Sequence, residues 1–234
     1  MRAGGPILLI DTATTRAVIA LGEPAGSLRA QRSWTAGYRH GEELLERIDA
    51  LLADDGVALA DLGAIAVGTG PGAFTGLRVG IATAKGLAHA LSIPIVGVAT
   101  GTSLLDAAEA SSPGGAQLVL LQPAGPNDCV LVRRGEAARI LPGGTEPDLA
   151  PGERLLAVDL AGRAPEDAAA LGGAAVHGLA AAMLAIAAGR LAAGRADDLA
   201  TLVPEYVTLP RGVRMPLPDE GVEVSGASSK GTKP

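Results

Sequence analysis

The feature that most constrains the fold is a glycine-rich turn that joins a short apolar segment to a helical one within residues 64–91. Positions 65–67 are apolar with β-branched ends, which is typical of a buried strand. The next positions, 68–72, hold three glycines and a proline and therefore favour a turn, and Thr75 is placed to cap the helix that follows. Such a strand–turn–helix directs backbone N–H groups at one point, where an anion can bind.

The predicted helix after this turn carries small residues on one face. At about 100° per residue, Gly76, Gly80 and Thr83 share that face, while Arg78 and Lys85 lie opposite. Each glycine costs roughly 0.5–1 kcal/mol relative to alanine, so we expect another backbone to approach closely. Two interpretations stay open: the small face packs within this chain, or part of the helix also meets a partner protein.

A second turn, which is rich in polar residues, lies near the N-terminus. Apolar segments at 7–10 and 17–21 flank a polar turn at 11–15, which predicts a β-hairpin with a hydroxyl-rich tip. A third strand is expected over 27–33. The chain therefore opens with a meander.

The two turns together form the candidate cofactor site. Asp11 and Thr12 could position a cation-bound phosphate if they faced Gly70 and Gly72 at the same end of neighbouring strands. The alternative is ordinary hairpin chemistry, in which Asp and Thr are common. Neither turn is a Walker-type loop, because the chain lacks Gly-x-x-x-x-Gly-Lys-[Ser/Thr].

A helix is predicted over 42–52, where apolar residues recur at the spacing of one helical face. We expect this helix and the one after the glycine-rich turn to bind a partner protein as a pair. The alternative is that the sheet underneath buries both apolar stripes. The expected contact residues are Leu44, Leu45, Ile48, Gly76, Arg78, Val79, Gly80, Thr83 and Lys85.

Two lobes are predicted, over 1–105 and 106–210, followed by a disordered tail at 211–234 that is poor in apolar residues. The second lobe is expected to hold a smaller sheet and a buried helix. The strand segments are 118–121, 129–132 and 155–158, and the helical segment is 178–191.

Composition excludes several functions. The net charge of −6, with no basic cluster, argues against a chain that grips nucleic acid alone. Cys129 is the single cysteine, which excludes an internal disulfide, and the three histidines are not spaced as a helical metal pair. We expect a soluble cytoplasmic protein with no metal site and no catalytic residues of its own.

Four motifs, in the order in which they occur along the chain, resemble those of the TsaB (YeaZ) family of bacterial tRNA-modification proteins. The most specific is Gly-Pro-Gly-x-Phe-Thr-Gly-x-Arg at 70–78. The others are Ile-Asp-Thr-Ala-Thr at 10–14, His-Gly-Glu-Glu-Leu-Leu at 40–45 and Pro-Glu-Tyr-Val at 204–207. The match is strong over roughly the first hundred residues and looser beyond them.

The resemblance implies an α/β protein with an actin-like, Hsp70-like ATPase fold of two lobes, the second degenerate. It implies a scaffold subunit that binds the catalytic paralogue TsaD, with the ATPase TsaE, for threonylcarbamoyladenosine formation in tRNA. ATP and a metal are expected on those partner subunits, and tRNA is reached only through the complex, with no membrane involved. A homodimer is expected when the partner is missing.

The chain departs from the patterns of related proteins at three places. In the catalytic paralogue a His-x-x-x-His metal pair follows the corresponding strand, and the matching positions here are Thr100 and Leu104. Ala13 stands where actin-like kinases keep a glycine for phosphate approach. The family's Asp-Ala-Arg pattern in the second lobe is replaced by Gln-Pro-Ala at 122–124. The competing hypothesis is an actin-like kinase or a metallopeptidase-type enzyme that is active on its own.

Overall fold

A computed structural model describes residues 4–36, 40–111 and 114–207. Its first sheet has five strands in the order β3-β2-β1-β4-β5. β1 pairs with β2 antiparallel and with β4 parallel, so the hairpin and the strand before the glycine-rich turn are neighbours. The strands are β1 Ile7–Asp11, β2 Arg16–Gly22, β3 Leu28–Thr35, β4 Ala64–Gly70 and β5 Ile95–Ala99.

The second sheet has four strands in the order β8-β7-β6-β9. β6 pairs with β7 antiparallel and with β9 parallel. The strands are β6 Gln117–Pro123, β7 Cys129–Val132, β8 Arg139–Leu141 and β9 Glu153–Ala157. The smaller second sheet predicted from the sequence is therefore confirmed, although the three-residue β8 was not predicted.

Within the residues that the structure describes, four α-helices cover the sheets. They are α1 His40–Asp54, α2 Phe74–Leu91, α3 Thr100–Ser111 and α4 Glu166–Ala192. One apolar cluster lies between the two sheets around α3 and α4, and a second lies under α1 and α2. The α/β fold class is confirmed, with helices packed on both sheets.

Two predicted helix boundaries are wrong. α2 begins at Phe74 after an extended Ala73, with no side-chain cap, so Thr75 lies inside the helix and does not cap it. α4 begins at Glu166, twelve residues before the predicted start at 178. Its first half was missed because Gly172 and Gly173 interrupt the apolar pattern there. A side chain at Gly172 would overlap the Ala157 carbonyl oxygen, so this glycine lets α4 lie directly against β9.

α4 is long and apolar enough to cross a membrane by length and composition alone, and 33% of its most apolar window is buried. Its inward side chains, among them Leu179, Met183 and Leu184, lie in the core between the sheets. A core helix passes the same composition test, and we describe α4 as one.

The predicted lobe boundary between residues 105 and 106 falls within α3, and the lobe limits stay a prediction. The predicted tail at 211–234 lies outside the described residues.

Candidate functional site

The N-terminal turn centres on Asp11, which ends β1 and is 0% exposed. Ala13 N–H donates to Asp11 Oδ1 at 3.1 Å, and the Thr100 hydroxyl donates to Asp11 Oδ2 at 2.6 Å. Gly70 N–H in turn donates to Thr100 Oγ1 at 3.3 Å. These bonds connect the hairpin tip, the glycine-rich turn and the first residue of α3.

The prediction that the two turns face each other is confirmed. Ala73 N–H donates to the Ala13 carbonyl at 2.7 Å. A side chain at Gly68 would overlap the Asp11 carboxylate, and one at Gly72 would overlap the Ala13 carbonyl. The glycines are therefore used for close approach of the two turns to each other.

The arrangement does not fit an open phosphate cradle. Both Asp11 carboxylate oxygens are engaged inside the protein, and the Thr12 hydroxyl donates to the Gly76 carbonyl at 2.7 Å. Burial raises the pKa of Asp11, and the hydrogen bonds from Thr100 and Ala13 only partly oppose this. A buried carboxylate of raised pKa is poorly suited to hold a hydrated cation. Cofactor binding by Asp11, Thr12, Gly70 and Gly72 stays a prediction without support from this geometry.

The inner part of the small-residue face of α2 is filled by this chain. A side chain at Gly76 would overlap the Thr12 carbonyl, and one at Gly80 would overlap the Thr12 hydroxyl. Gly76 and Gly80 therefore present no surface to a partner, which corrects their assignment. The close approach that the sequence predicted is to the N-terminal turn.

The apolar stripe of α1 is partly buried against the sheet and partly exposed. Leu44 and Ile48 are 1% and 2% exposed in the core beneath α1, so their assignment as contact residues is corrected as well. Leu45 is 57% exposed and points away from the sheet. A partner role stays a prediction for the residues that remain at least partly exposed. These are Leu45, Arg78, Val79, Thr83 and Lys85.

A segment near the end of the described chain packs on α2, and sequence reasoning did not place it there. Glu205 N–H donates to the Thr69 carbonyl at 2.8 Å, which fastens the segment beside the glycine-rich turn. Arg78 Nε donates to Tyr206 Oη at 2.9 Å, and the Arg78 guanidinium lies 3.9 Å from the Phe74 ring centroid. The Phe74 and Tyr206 ring centroids are 5.2 Å apart. The Pro-Glu-Tyr-Val motif was the available signal.

The two positions that correspond to the paralogue's histidine pair are both inaccessible to solvent. Thr100 and Leu104 are buried, Thr100 against Asp11 and Leu104 in the core between the sheets. Within the described ranges, no group of three or more His, Cys, Asp and Glu side chains is arranged to hold a metal ion.

The mixed sheets, the buried acidic turn and the glycine-rich strand–turn–helix define a protein of the actin-like ATPase fold class. A family model described as "TsaD: tRNA N6-adenosine threonylcarbamoyltransferase" matches residues 35–207. This range includes α1, the glycine-rich turn and the whole second sheet. The chain belongs to this family.

Individual relatives agree with the family match. The tRNA threonylcarbamoyladenosine biosynthesis protein TsaB of Escherichia coli is 39% identical over 94 residues, which are 40% of this chain and 40% of that protein. TsaB of Haemophilus influenzae is 37% identical over 105 residues, 44% of this chain and 42% of that protein. The matched segments thus span less than half the length of these curated relatives.

A solved structure extends the similarity to nearly the whole chain. YeaZ from Pseudomonas aeruginosa aligns with a TM-score of 0.65 and 25% identity, covering 87% of this chain and 100% of that one. The fold expected from the resemblance is therefore confirmed.

Proposed function

We propose that this chain is the non-catalytic subunit of a complex that forms threonylcarbamoyladenosine in tRNA, and that it binds the catalytic paralogue TsaD together with the ATPase TsaE. The observation that carries the proposal is the family match over residues 35–207, which includes α1, the glycine-rich turn and the whole second sheet. The names of the Escherichia coli and Haemophilus influenzae relatives, both TsaB, supply the role within that family.

The chemistry of the buried turn supports a non-catalytic role. Asp11 is hydrogen-bonded to a threonine, and neither Thr100 nor Leu104 offers an imidazole to a metal. ATP and metal chemistry are therefore assigned to the partner subunits. The kinase or metallopeptidase alternative gains no support from these residues.

The exposed face shared by α1 and α2 is the proposed surface for TsaD. It combines Leu45 with Val79 and Thr83, while Lys85 lies on the opposite flank of α2, and a helix pair of this kind can pack ridge-into-groove against an equivalent pair. Gly86 lies on the same exposed side, with no atom within 4 Å of the position of an added Cβ, so a partner helix could approach closely there. Self-association through this face gives the homodimer expected without TsaD. The complex acts in the cytoplasm, and tRNA is reached through it.

Size-exclusion chromatography with TsaD from the same organism tests the surface. Leu45→Glu places a charge on the exposed face, so we expect loss of co-elution with little change in melting temperature. Leu59→Glu is the matched control, because Leu59 is 41% exposed and lies outside both helices. Co-elution of the Leu45→Glu variant at wild-type affinity would show that this face is not the interface.

A reconstituted reaction tests the role itself. TsaD and TsaE are combined with tRNA, ATP and the threonylcarbamoyl precursor, with and without this chain, and modified adenosine is quantified. We expect modification to depend on this chain together with TsaD. Modification by this chain alone, or full modification in its absence, would contradict the proposal.

A further inference from the structure

A cleft of about 450 Å³ lies between the first half of α4 and the strands β2 and β3 of the first sheet. In its second half, α4 packs tightly on β2, since a side chain at Gly22 would overlap Leu184. In its first half, α4 presents Ala169 and Gly173, and no atom lies within 4 Å of a Cβ added at Gly173. These residues are too small to fill the gap, whose volume falls within the range of small-ligand sites, about 300–1,000 Å³. We call it the α4–β3 cleft.

The sheet wall of the α4–β3 cleft is polar. Gln31, Ser33 and Thr35 occupy alternate positions of β3, so their side chains share the face of the sheet that is turned towards α4. Arg16 of β2 is the register partner of Thr35 and therefore lies on the same face. An amide and two hydroxyl groups in a row can exchange hydrogen bonds with the hydroxyl groups of a ligand.

The Arg16 guanidinium supplies a positive charge at this wall. Its Nη1 donates to Ser33 Oγ at 3.3 Å, which holds the group over β3. Among the described residues, no ion pair involves Arg16. The other N–H groups of the guanidinium are therefore available to a ligand.

Asp159 is the one acidic residue among the described residues that line the cleft, and its oxygens are already engaged. Thr15 N–H donates to Asp159 Oδ2 at 2.6 Å, and the Thr15 hydroxyl donates to Asp159 Oδ1 at 2.5 Å. His177 of α4 lines the wall opposite Arg16 and offers an imidazole N–H. Donors on both walls, with a single carboxylate that is bound to Thr15, favour an anionic ligand.

We propose that the α4–β3 cleft binds a small phosphorylated polyol, with its phosphate at Arg16 and His177 and its hydroxyl groups along β3. A guanidinium binds a phosphate through parallel N–H···O hydrogen bonds, and the imidazole adds a donor from the other wall. No aromatic side chain lies among the described residues that line the cleft, so it suits a sugar better than a nucleobase, which would stack on an aromatic ring. The proposed tRNA-modification role neither requires nor predicts this site.

Isothermal titration calorimetry of the whole chain with glucose 6-phosphate tests the proposal, and inorganic phosphate and glucose serve as the two partial ligands. We expect glucose 6-phosphate to bind more tightly than either of them. Arg16→Gln should weaken its binding at least about tenfold, because a charged hydrogen bond to the phosphate is lost. Arg195→Gln is the matched control, since Arg195 is exposed and lies beyond the C-terminus of α4, and its affinity should equal that of the wild type.

Gly173→Leu provides a steric test, because its side chain would fill the open part of the cleft and should abolish binding. Gly189→Leu is the matched control: Gly189 is exposed on the same helix, lies outside the cleft and also has no atom within 4 Å of an added Cβ. Leucine favours a helix over glycine, so neither variant should melt early. If Gly173→Leu does, Arg16→Gln carries the test. The proposal is overturned if glucose 6-phosphate fails to bind at millimolar concentration, if inorganic phosphate binds as tightly, or if either variant binds as well as its control.

Discussion

Adding one methyl group at Gly80 tests how α2 packs on the N-terminal turn. In Gly80→Ala the new Cβ would overlap the Thr12 hydroxyl and lie 3.4 Å from Thr12 Cβ. Thr12 must then move, and its hydrogen bond to the Gly76 carbonyl is lost. Gly86→Ala is the matched control in the same helix, because no atom lies within 4 Å of the added Cβ there.

The two variants should differ in the sign of their change in the free energy of unfolding. Alanine in place of glycine stabilises a helix by roughly 0.5–1 kcal/mol, and Gly86→Ala should show this gain alone. At Gly80 the same gain is opposed by about 1 kcal/mol for the lost hydrogen bond and about 1–3 kcal/mol for overpacking. Gly80→Ala should therefore destabilise the fold by roughly 1–3 kcal/mol, which lowers the melting temperature by about 2–12 °C in a protein of this size.

Thermal and urea unfolding of both variants, alone and with Thr12→Ala, measures the effect. Truncating Thr12 removes the obstacle, so Gly80→Ala should cost about 1–2 kcal/mol less in that background. If Gly80→Ala and Gly86→Ala stabilise the protein equally, or if Thr12→Ala leaves the cost of Gly80→Ala unchanged, the packing argument is refuted.

Three further substitutions have defined outcomes. Arg133 lowers the pKa of Glu153 from 4.5 to about 2, so the ion pair contributes stability above pH 4.5 that is lost as the pH falls towards 2. In Glu153→Gln, the free energy of unfolding measured with urea should therefore depend less on pH between about 4.5 and 2. Burial raises the pKa of Asp11, so its ionised form costs stability at neutral pH. The free energy of unfolding of the wild type should therefore rise relative to that of Asp11→Asn as the pH falls towards that raised pKa. Asp197 accepts the Gly97 N–H at 2.7 Å on the outer edge of β5, so Asp197→Ala should cost about 1–3 kcal/mol and speed hydrogen exchange of the Gly97 amide.

The local elements of the first sheet could be predicted from the sequence. Residues 64–91 and the hairpin around 11–15 have apolar spacing and turn residues that favour one backbone path each. The glycine pattern also predicted a close approach on one face of α2. These signals are local because the period of a strand or helix and the conformation of a glycine depend on near neighbours in the chain.

Only the tertiary structure decided which side of each helix is free. Leu44 and Leu45 are adjacent in the same apolar stripe, yet one is 1% exposed and the other 57%. Gly80 meets Thr12, and Arg78 meets Tyr206, a residue 128 positions further along the chain. Periodicity identifies an apolar face but does not say where the neighbouring sheet ends. The partners of these residues come from distant segments, and only the packing of both sheets brings them together.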